Sequence, residues 1–161
     1  MHGETRQQPW QWSADFQQRS SSLWIEQTPG RDSTSRARLQ GLLAQGSFRL
    51  TLRADGVHYE RTLRQRPTER SHGFAGSIAL RWRRRHLRWD TLLSLFRTGA
   101  YTARIYEYEP QLPGEVSILP LYGEGGRMVT VCGVRLGPLQ MSARWRLYAA
   151  AVQIETSQGS R

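Results

Sequence analysis

Strict alternation of apolar and polar residues is the feature that most restricts how this chain folds. Between residues 74 and 83, Phe, Gly, Ile, Leu and Trp occupy every second position, and Ala, Ser and Arg lie between them. The stretch 139–147 repeats the pattern. Successive side chains of a strand point to opposite sides, so a period of two predicts strands with one apolar face each. A sustained helical period is missing from the sequence, which therefore predicts an all-β protein.

Turn signals divide the chain into an antiparallel up-and-down meander of about eight to ten long strands, each of roughly nine to eleven residues. Polar loops are expected at residues 28–35 and 65–72, and tight turns at 45–47, 83–86 and 97–100. We expect one β domain over residues 10–148. An irregular segment at 1–9 precedes it, and a tail at 149–161 follows it.

The pair Asp55-Gly56 allows two interpretations. It is a strong hairpin signal, but it also fits a bulge inside one long strand that runs from Ser47 to about Arg64. With one long strand, the connections alternate between short and long along the chain. That alternation is typical of outer-membrane barrels, so we predict a single strand.

The length of the strands favours a transmembrane β-barrel or part of one. Strands of soluble proteins average about five or six residues, whereas membrane barrels use segments of about ten with alternating polarity. Trp82, Trp89 and Trp145 lie toward strand ends, where an aromatic belt is expected. In a soluble sheet the same tryptophans would belong to the interior.

Exposure of the strand faces separates the two architectures. A barrel predicts arginines inside and an outward apolar face, and a soluble fold predicts the reverse. The residues expected to face outward in a barrel are Phe48, Leu50, Ile78, Leu80, Leu139, Met141 and Trp145.

Charge points to anionic partners. The 23 basic residues are all arginine, and the formal net charge is +10. An arginine-lined interior would favour anionic solutes. On a soluble protein, arginine interleaved with aromatic residues would suit single-stranded nucleic acid. Arginine on a polar face can also simply be solvated.

Catalytic patterns are missing from the sequence, so we predict a protein that is not an enzyme and has no cofactor. The four histidines have no metal-ligand spacing, and the single Cys132 lies in an apolar strand-like run, where a buried or lipid-facing residue is expected. The G-E-G-G of residues 123–126 lacks the lysine and helix of a phosphate loop.

Three stretches resemble one bacterial family. They are F-R-T-G-A-Y-T-A-R-I-Y-E-Y-E (96–109), S-I-L-P-L-Y-G-E-G-G-R (117–127) and L-Q-M-S-A-R-W-R (139–146). They resemble the C-terminal β-barrel of ComEA-like proteins with helix-hairpin-helix domains, found mainly in Bacteroidota. The matching positions are Phe96, Thr98, Tyr101, Ala103, Arg104, Ile105, Tyr106, Tyr108, Glu109, Tyr122, Gly123, Gly125, Arg127, Ala143 and Arg144.

The resemblance implies an outer-membrane barrel whose partner is the lipid bilayer. Two aspartates of the family's turn are replaced here by Arg97 and Gly99. The family's DNA-binding helix-hairpin-helix signature is missing from this sequence, so DNA binding does not carry over. We expect the chain to be a fragment or shortened relative of such a barrel, within a longer exported precursor.

The candidate functional residues form a polar network expected to line the lumen of the barrel. Arginine, tyrosine and glutamate satisfy one another through charge-assisted hydrogen bonds, and the same set is also suited to an anion site. The predicted residues are Arg49, Arg53, Arg81, Arg104, Tyr106, Tyr108, Glu109, Arg127, Arg144 and Arg146.

Overall fold

The computed structural model describes residues 10–25, 28–63 and 66–150, and these residues are almost entirely β. No helix among them is both long and apolar enough to cross a membrane. The strands are β1 (Trp10–Ile25), β2 (Thr28–Gln45), β3 (Phe48–Leu63), β4 (Arg66–Arg84), β5 (Leu87–Thr98), β6 (Ile105–Tyr108), β7 (Ile118–Leu121), β8 (Glu124–Leu136) and β9 (Leu139–Ala150). The predicted segment 1–9 and most of the predicted tail, residues 151–161, lie outside this part.

Seven long strands form one antiparallel sheet in the order β1-β2-β3-β4-β5-β8-β9. The predicted all-β meander is therefore confirmed. The remaining strands, β6 and β7, form a separate two-stranded hairpin between β5 and β8. A closed barrel is not observed, because β1 and β9 lie at opposite edges of the sheet and do not pair in the described part of the chain.

The seven sheet strands are longer than expected, with 12 to 19 residues each. The prediction of loops at residues 28–35 and 65–72 was wrong, because β2 begins at Thr28 and β4 begins at Arg66. Cross-strand ion pairs accompany the backbone ladder there. Arg61 Nε lies 3.0 Å from Asp32 Oδ1, and Arg70 Nη2 lies 3.2 Å from Glu60 Oε1. Because both faces are polar in this region, side-chain periodicity does not reveal the strands.

Strand β3 passes through Asp55-Gly56 without a turn, as predicted. The pairs Asp55↔Ala75 and Gly56↔Phe74 keep the register with β4. The bulge expected at Asp55-Gly56 is therefore not observed, and the register shifts only between Arg61 and Leu63. One face of β3 therefore stays continuous along the strand.

The cross-strand register places apolar side chains on one face of the whole sheet. One row runs across all seven strands and consists of Trp12, Gly41, Leu52, Ile78, Leu93, Met128 and Leu147. A row on the opposite face consists of Ser13, Gln40, Arg53, Ser77, Ser94, Arg127 and Tyr148. The sheet therefore has an apolar face and a polar face.

Candidate functional site

A covering segment, residues 99–123, lies across the polar face. It leaves the sheet after β5 and returns at β8, and it contains a short 3-10 turn (Tyr101–Ala103) and the β6–β7 hairpin. Its apolar residues pack against sheet residues that interrupt the polar face. The resulting buried cluster consists of Val57, Ala75, Phe96, Ala103, Ile105 and Leu121. The hydrophobic core thus lies between the covering segment and the polar face.

A buried ion-pair group, which we call the Arg127 cluster, joins this segment to the sheet. Arg127 Nη2 donates to Glu107 Oε2 at 2.6 Å, and Arg127 Nη1 donates to Glu109 Oε1 at 2.8 Å. Arg146 Nη2 donates to Glu109 Oε2 at 2.8 Å, and Ser94 Oγ donates to Glu107 Oε2. The side chains of Arg127, Glu107 and Glu109 are only 2%, 5% and 1% exposed.

Charge within the Arg127 cluster is balanced, with two carboxylates facing two guanidinium groups. Charges are costly to bury unless they are paired and hydrogen-bonded, and here three of the four are almost fully buried. Arg127 Nε is buried without a hydrogen-bond partner among the described residues, which adds to that cost. The cluster therefore holds the segment in one defined position, because displacing it would leave these charges unpaired.

Three further arginines bind the covering segment at other points. Arg53 Nη2 donates to the Tyr106 carbonyl oxygen at 3.1 Å, and Arg88 Nη2 donates to the Gln111 carbonyl oxygen at 3.2 Å. Arg144 Nη1 donates to Glu115 Oε2 at 2.5 Å. With Arg127 and Arg146, arginines of β3, β5, β8 and β9 hold the segment along its length.

Gly73 marks a place where the backbones of the sheet and the segment approach closely. A Cβ atom at this position would lie 2.3 Å from the Ala103 carbonyl oxygen. Atoms at that distance overlap, so only glycine allows the 3-10 turn to rest on β4 here. A residue with a side chain would force the turn away from the sheet.

The substitution Gly73→Ala is expected to destabilise the protein by about 1–3 kcal/mol, the usual cost of forcing extra volume into a packed site. Gly76→Ala is the matched control on the same strand, because a Cβ there meets no atom within 4 Å. The free energy of unfolding of both variants, measured by chemical denaturation, checks this expectation. Equal losses for the two variants would contradict the contact.

The structure brings some of the predicted site residues together and separates others. Arg53, Glu109, Arg127, Arg144 and Arg146 all connect the segment to the sheet. Of the other predicted arginines, Arg81 pairs with Asp90 at 3.1 Å, and Arg49 lies exposed on the same polar face.

Arg104, Tyr106 and Tyr108 lie apart from the Arg127 cluster. The two tyrosine side chains are exposed, while the alternating residues Ile105 and Glu107 are buried toward the sheet. Arg104 donates from Nε to the Tyr106 hydroxyl, and this hydrogen bond raises the pKa of the guanidinium. Its guanidinium carbon also lies 4.3 Å from the centre of the Tyr101 ring. These residues form a separate group on the outer side of the segment.

The sequence prediction missed acidic partners of the predicted arginines, which are Asp55 and Asp90 on the polar face and Glu107 and Glu115 on the covering segment. Asp55 accepts from Arg38 at 2.7 Å and from Arg53, and Asp90 pairs with Arg81 and Arg88. A signal existed in β5 and β8, where apolar residues break the alternation on the polar face. Those residues, Leu92, Phe96, Val129 and Val131, are buried where the segment covers the sheet.

Several arginines of the polar face lack a carboxylate partner. Among the residues that the structure describes, Arg19, Arg36 and Arg49 have no Asp or Glu oxygen within 4.0 Å. Arg19 and Arg36 line an open trough of about 320 Å³ between β1, β2 and β3, together with Asp32 and Tyr59. This trough offers free cationic groups to an anion.

The apolar face remains exposed. Ile78 is 48% exposed, Leu93 44% and Leu147 63%. The other large exposed apolar side chains of this face are Trp12, Phe16, Leu39, Phe48, Phe74, Leu87, Trp89, Leu95, Val134, Leu136, Leu139, Met141 and Trp145. Apolar patches of this extent are rare on soluble monomers and mark a surface that binds protein or lipid.

The described part of the chain contains no group of three or more side chains arranged to hold a metal ion. The one close histidine pair, His58 and His72, joins β3 and β4 just beyond the apolar face, with 3.1 Å between the two Nδ1 atoms.

Comparison with known proteins gives no relative from which to transfer a function. No family model matches the chain, and neither a curated protein nor a solved structure matches it. The resemblance to the barrel of ComEA-like proteins therefore stays a prediction.

Proposed function

We propose that this chain forms the wall of an outer-membrane β-barrel that has a structural or transport role and is not an enzyme. In this proposal the apolar face contacts lipid, and the polar face encloses an arginine-lined interior. The covering segment partly fills that interior. The observation that carries the proposal is the apolar face, which crosses all seven strands with large exposed side chains, opposite a polar face that contains the buried Arg127 cluster.

The dimensions of the apolar face support contact with a bilayer. On β4 the apolar positions run from Phe74 to Trp82, a stretch of nine residues. A transmembrane strand needs about 9–11 residues when it is tilted by about 45°. Beyond Phe74 the same face becomes polar along the row Gln18, Ser35, His58 and His72. The apolar part of this face, which we call the apolar band, therefore ends at the level expected for the edge of the hydrocarbon layer.

The tryptophans support the same orientation. Trp82 and Trp89 are cross-strand partners at the opposite border of the band, next to the β4–β5 turn. Indole rings prefer the level of the lipid headgroups, where one end is apolar and the other hydrated. Trp89 Nε1 donates to Thr91 Oγ1 at 2.8 Å, which satisfies its polar group on the apolar face.

The polar face supports an interior that accepts anions. Most of its arginines are neutralised by Asp55, Asp90, Glu107 and Glu109, whereas Arg36 faces open space in the β1–β3 trough. An interior with unpaired guanidinium groups attracts anionic solutes.

The alternative prediction, a soluble protein that binds nucleic acid, has weaker support. Single strands are bound where aromatic side chains and cationic groups share one surface. Here the tryptophans lie on the apolar face, while Arg53, Arg81 and Arg146 lie on the other. One strand of nucleic acid could not contact both sets.

Membrane insertion requires that the two sheet edges be paired. Unpaired backbone groups are very costly in lipid, so open sheet edges do not occur there. The proposal therefore implies that β1 and β9 pair in the membrane with further strands, from this chain or from another copy.

Refolding with and without nonionic detergent micelles tests the proposal. We expect β-sheet circular dichroism and heat-dependent gel migration only with micelles, because the apolar band needs an apolar solvent. A monodisperse, folded protein in buffer alone would contradict the proposal and make nucleic-acid binding, measured against salt, the next assay.

A further inference from the structure

One end of the sheet has a concentration of positive charge that the Arg127 cluster does not involve. The β4–β5 and β8–β9 turns lie side by side there, because β5 pairs with β8 and Arg135 N donates to the His86 carbonyl oxygen at 2.9 Å. We call this end the basic rim, and it consists of Arg83, Arg84, Arg85, His86 and Arg135.

The basic rim has no internal counter-charge. In the described residues no carboxylate oxygen lies within 4.0 Å of Arg83, Arg84, Arg85 or Arg135, whereas the neighbouring Arg88 is paired with Asp90. A shallow pocket of about 290 Å³ opens between the two turns. These guanidinium groups are exposed and directed at no acidic side chain, so they are available to an external anion.

The backbone of the β4–β5 turn supports a role for arginine itself. The corresponding turns at this end of the sheet use Gly46 and Gly137, with φ of 56° and 59°. The β4–β5 turn instead places Arg85 at a positive φ of 23°. Positive φ is disfavoured for residues with a side chain, and where it is retained it often marks a functional position.

The pocket is suited to a ligand with an anionic end and an apolar end. Arg83, Arg88 and Arg135 line it from the polar side, and Leu87 and Val134 line it from the apolar side. Trp82 and Trp89 lie beside it on the apolar face. No Phe, Tyr or Trp lines the pocket itself, so the large aromatic side chains on which nucleic-acid bases stack are missing from its lining.

We propose that the basic rim binds the phosphate group of an anionic lipid headgroup, with the acyl chains lying along the adjoining apolar face. Guanidinium groups recognise phosphate oxygens through paired charge-assisted hydrogen bonds. The rim adjoins the tryptophan border of the apolar band, which is the level of the headgroups when the sheet spans a bilayer. This inference rests on the proposed membrane function and adds a specific ligand to it.

The test uses the whole chain folded in nonionic maltoside micelles, which contribute neither charge nor phosphate. Tryptophan fluorescence follows titration with dioctanoyl phosphatidylglycerol, dioctanoylglycerol, inorganic phosphate and oligothymidylate. We expect saturable binding of the phosphatidylglycerol and no saturable binding of dioctanoylglycerol. Inorganic phosphate should bind at least about tenfold more weakly, because it makes no apolar contacts.

Two rim variants and a control locate the site. The variant R84Q/R85Q/R135Q should weaken phosphatidylglycerol binding at least about tenfold, the usual effect of losing hydrogen bonds to a charged group. R31Q/R70Q/R97Q removes three exposed arginines at the opposite end of the sheet and should leave binding unchanged. Arg85→Gly relieves the backbone of the turn, so it should fold at least as well as the parent and still bind more weakly.

Four results would overturn the lipid site. The first is equal weakening of phosphatidylglycerol binding by the rim and control variants. The second and third are binding of dioctanoylglycerol, or of inorganic phosphate, as tight as that of phosphatidylglycerol. The fourth is binding of oligothymidylate that is tighter than that of phosphatidylglycerol. Folding in buffer without micelles would contradict the membrane proposal separately. The titration could still be performed on that protein, and it would show whether the basic rim binds the lipid phosphate independently of the membrane proposal.

Discussion

Replacing Arg127 by methionine should lower the free energy of unfolding by about 3–5 kcal/mol, the cost of leaving buried partner charges without a counter-charge. Glu107 would lose its ion pair with Arg127 and become an uncompensated negative charge, because its other hydrogen-bond partner is the neutral Ser94 hydroxyl. Glu109 would keep one ion pair, with the exposed Arg146, and a hydrogen bond from the Ser117 hydroxyl. Denaturant unfolding in micelles measures the loss.

Two companion variants make that expectation specific. Arg97→Met removes an exposed ion pair with Glu124, 3.4 Å apart, and should cost no more than about 1 kcal/mol. Adding Glu107→Gln and Glu109→Gln to Arg127→Met removes the stranded charges and should restore much of the stability. Trypsin provides a local readout, because release of the covering segment would speed cleavage after Arg104. Equal losses for Arg127→Met and Arg97→Met would contradict the buried cluster.

The second large effect is expected on the apolar face. Ile78 and Leu93 are cross-strand neighbours in the middle of the band and are both exposed. An arginine at the midplane of a membrane barrel costs about 2–4 kcal/mol, so the double variant Ile78→Arg/Leu93→Arg should lose about 4–8 kcal/mol and fail to insert. Insertion is measured by flotation with lipid vesicles and by the β-sheet signal.

The control for this pair is Gln18→Arg. Gln18 lies on the same face of β1, just beyond the border of the apolar band, and is exposed. An arginine near the membrane interface costs about 0–1 kcal/mol, so this variant should insert normally. In a soluble protein, arginines at Ile78 and Leu93 would instead be solvated and would improve solubility. Normal folding of the double variant in buffer would therefore contradict the orientation.

The sequence predicted the elements whose two faces differ. Alternation defines β4 and β9, and the preference for one long strand at Asp55-Gly56 matches the continuous β3. Alternation could not predict the polar extensions of β2 and β4. Polar residues occupy both faces of these extensions, so the sequence has no alternation there, and the backbone ladder alone defines the strands.

The arrangement of the site was less predictable because it depends on contacts distant in sequence. Arg127 pairs with carboxylates 18 and 20 residues away, and Arg146 pairs with one 37 residues away. The alternation within I-Y-E-Y-E already places Glu107 and Glu109 on one face, but nothing local shows that this face meets the sheet. The apolar interruptions of the polar face, Leu92 and Phe96 in β5 and Val129 and Val131 in β8, were the local trace of that contact.

Quenching of tryptophan fluorescence by lipids brominated on their acyl chains tests the central claim most directly. All five tryptophans whose side chains the structure describes, Trp10, Trp12, Trp82, Trp89 and Trp145, lie on the apolar face. Lipid contact through this face predicts strong quenching by brominated vesicles and little quenching by acrylamide in the aqueous phase. Strong quenching by acrylamide, with no effect of brominated lipid, would contradict a membrane-facing sheet.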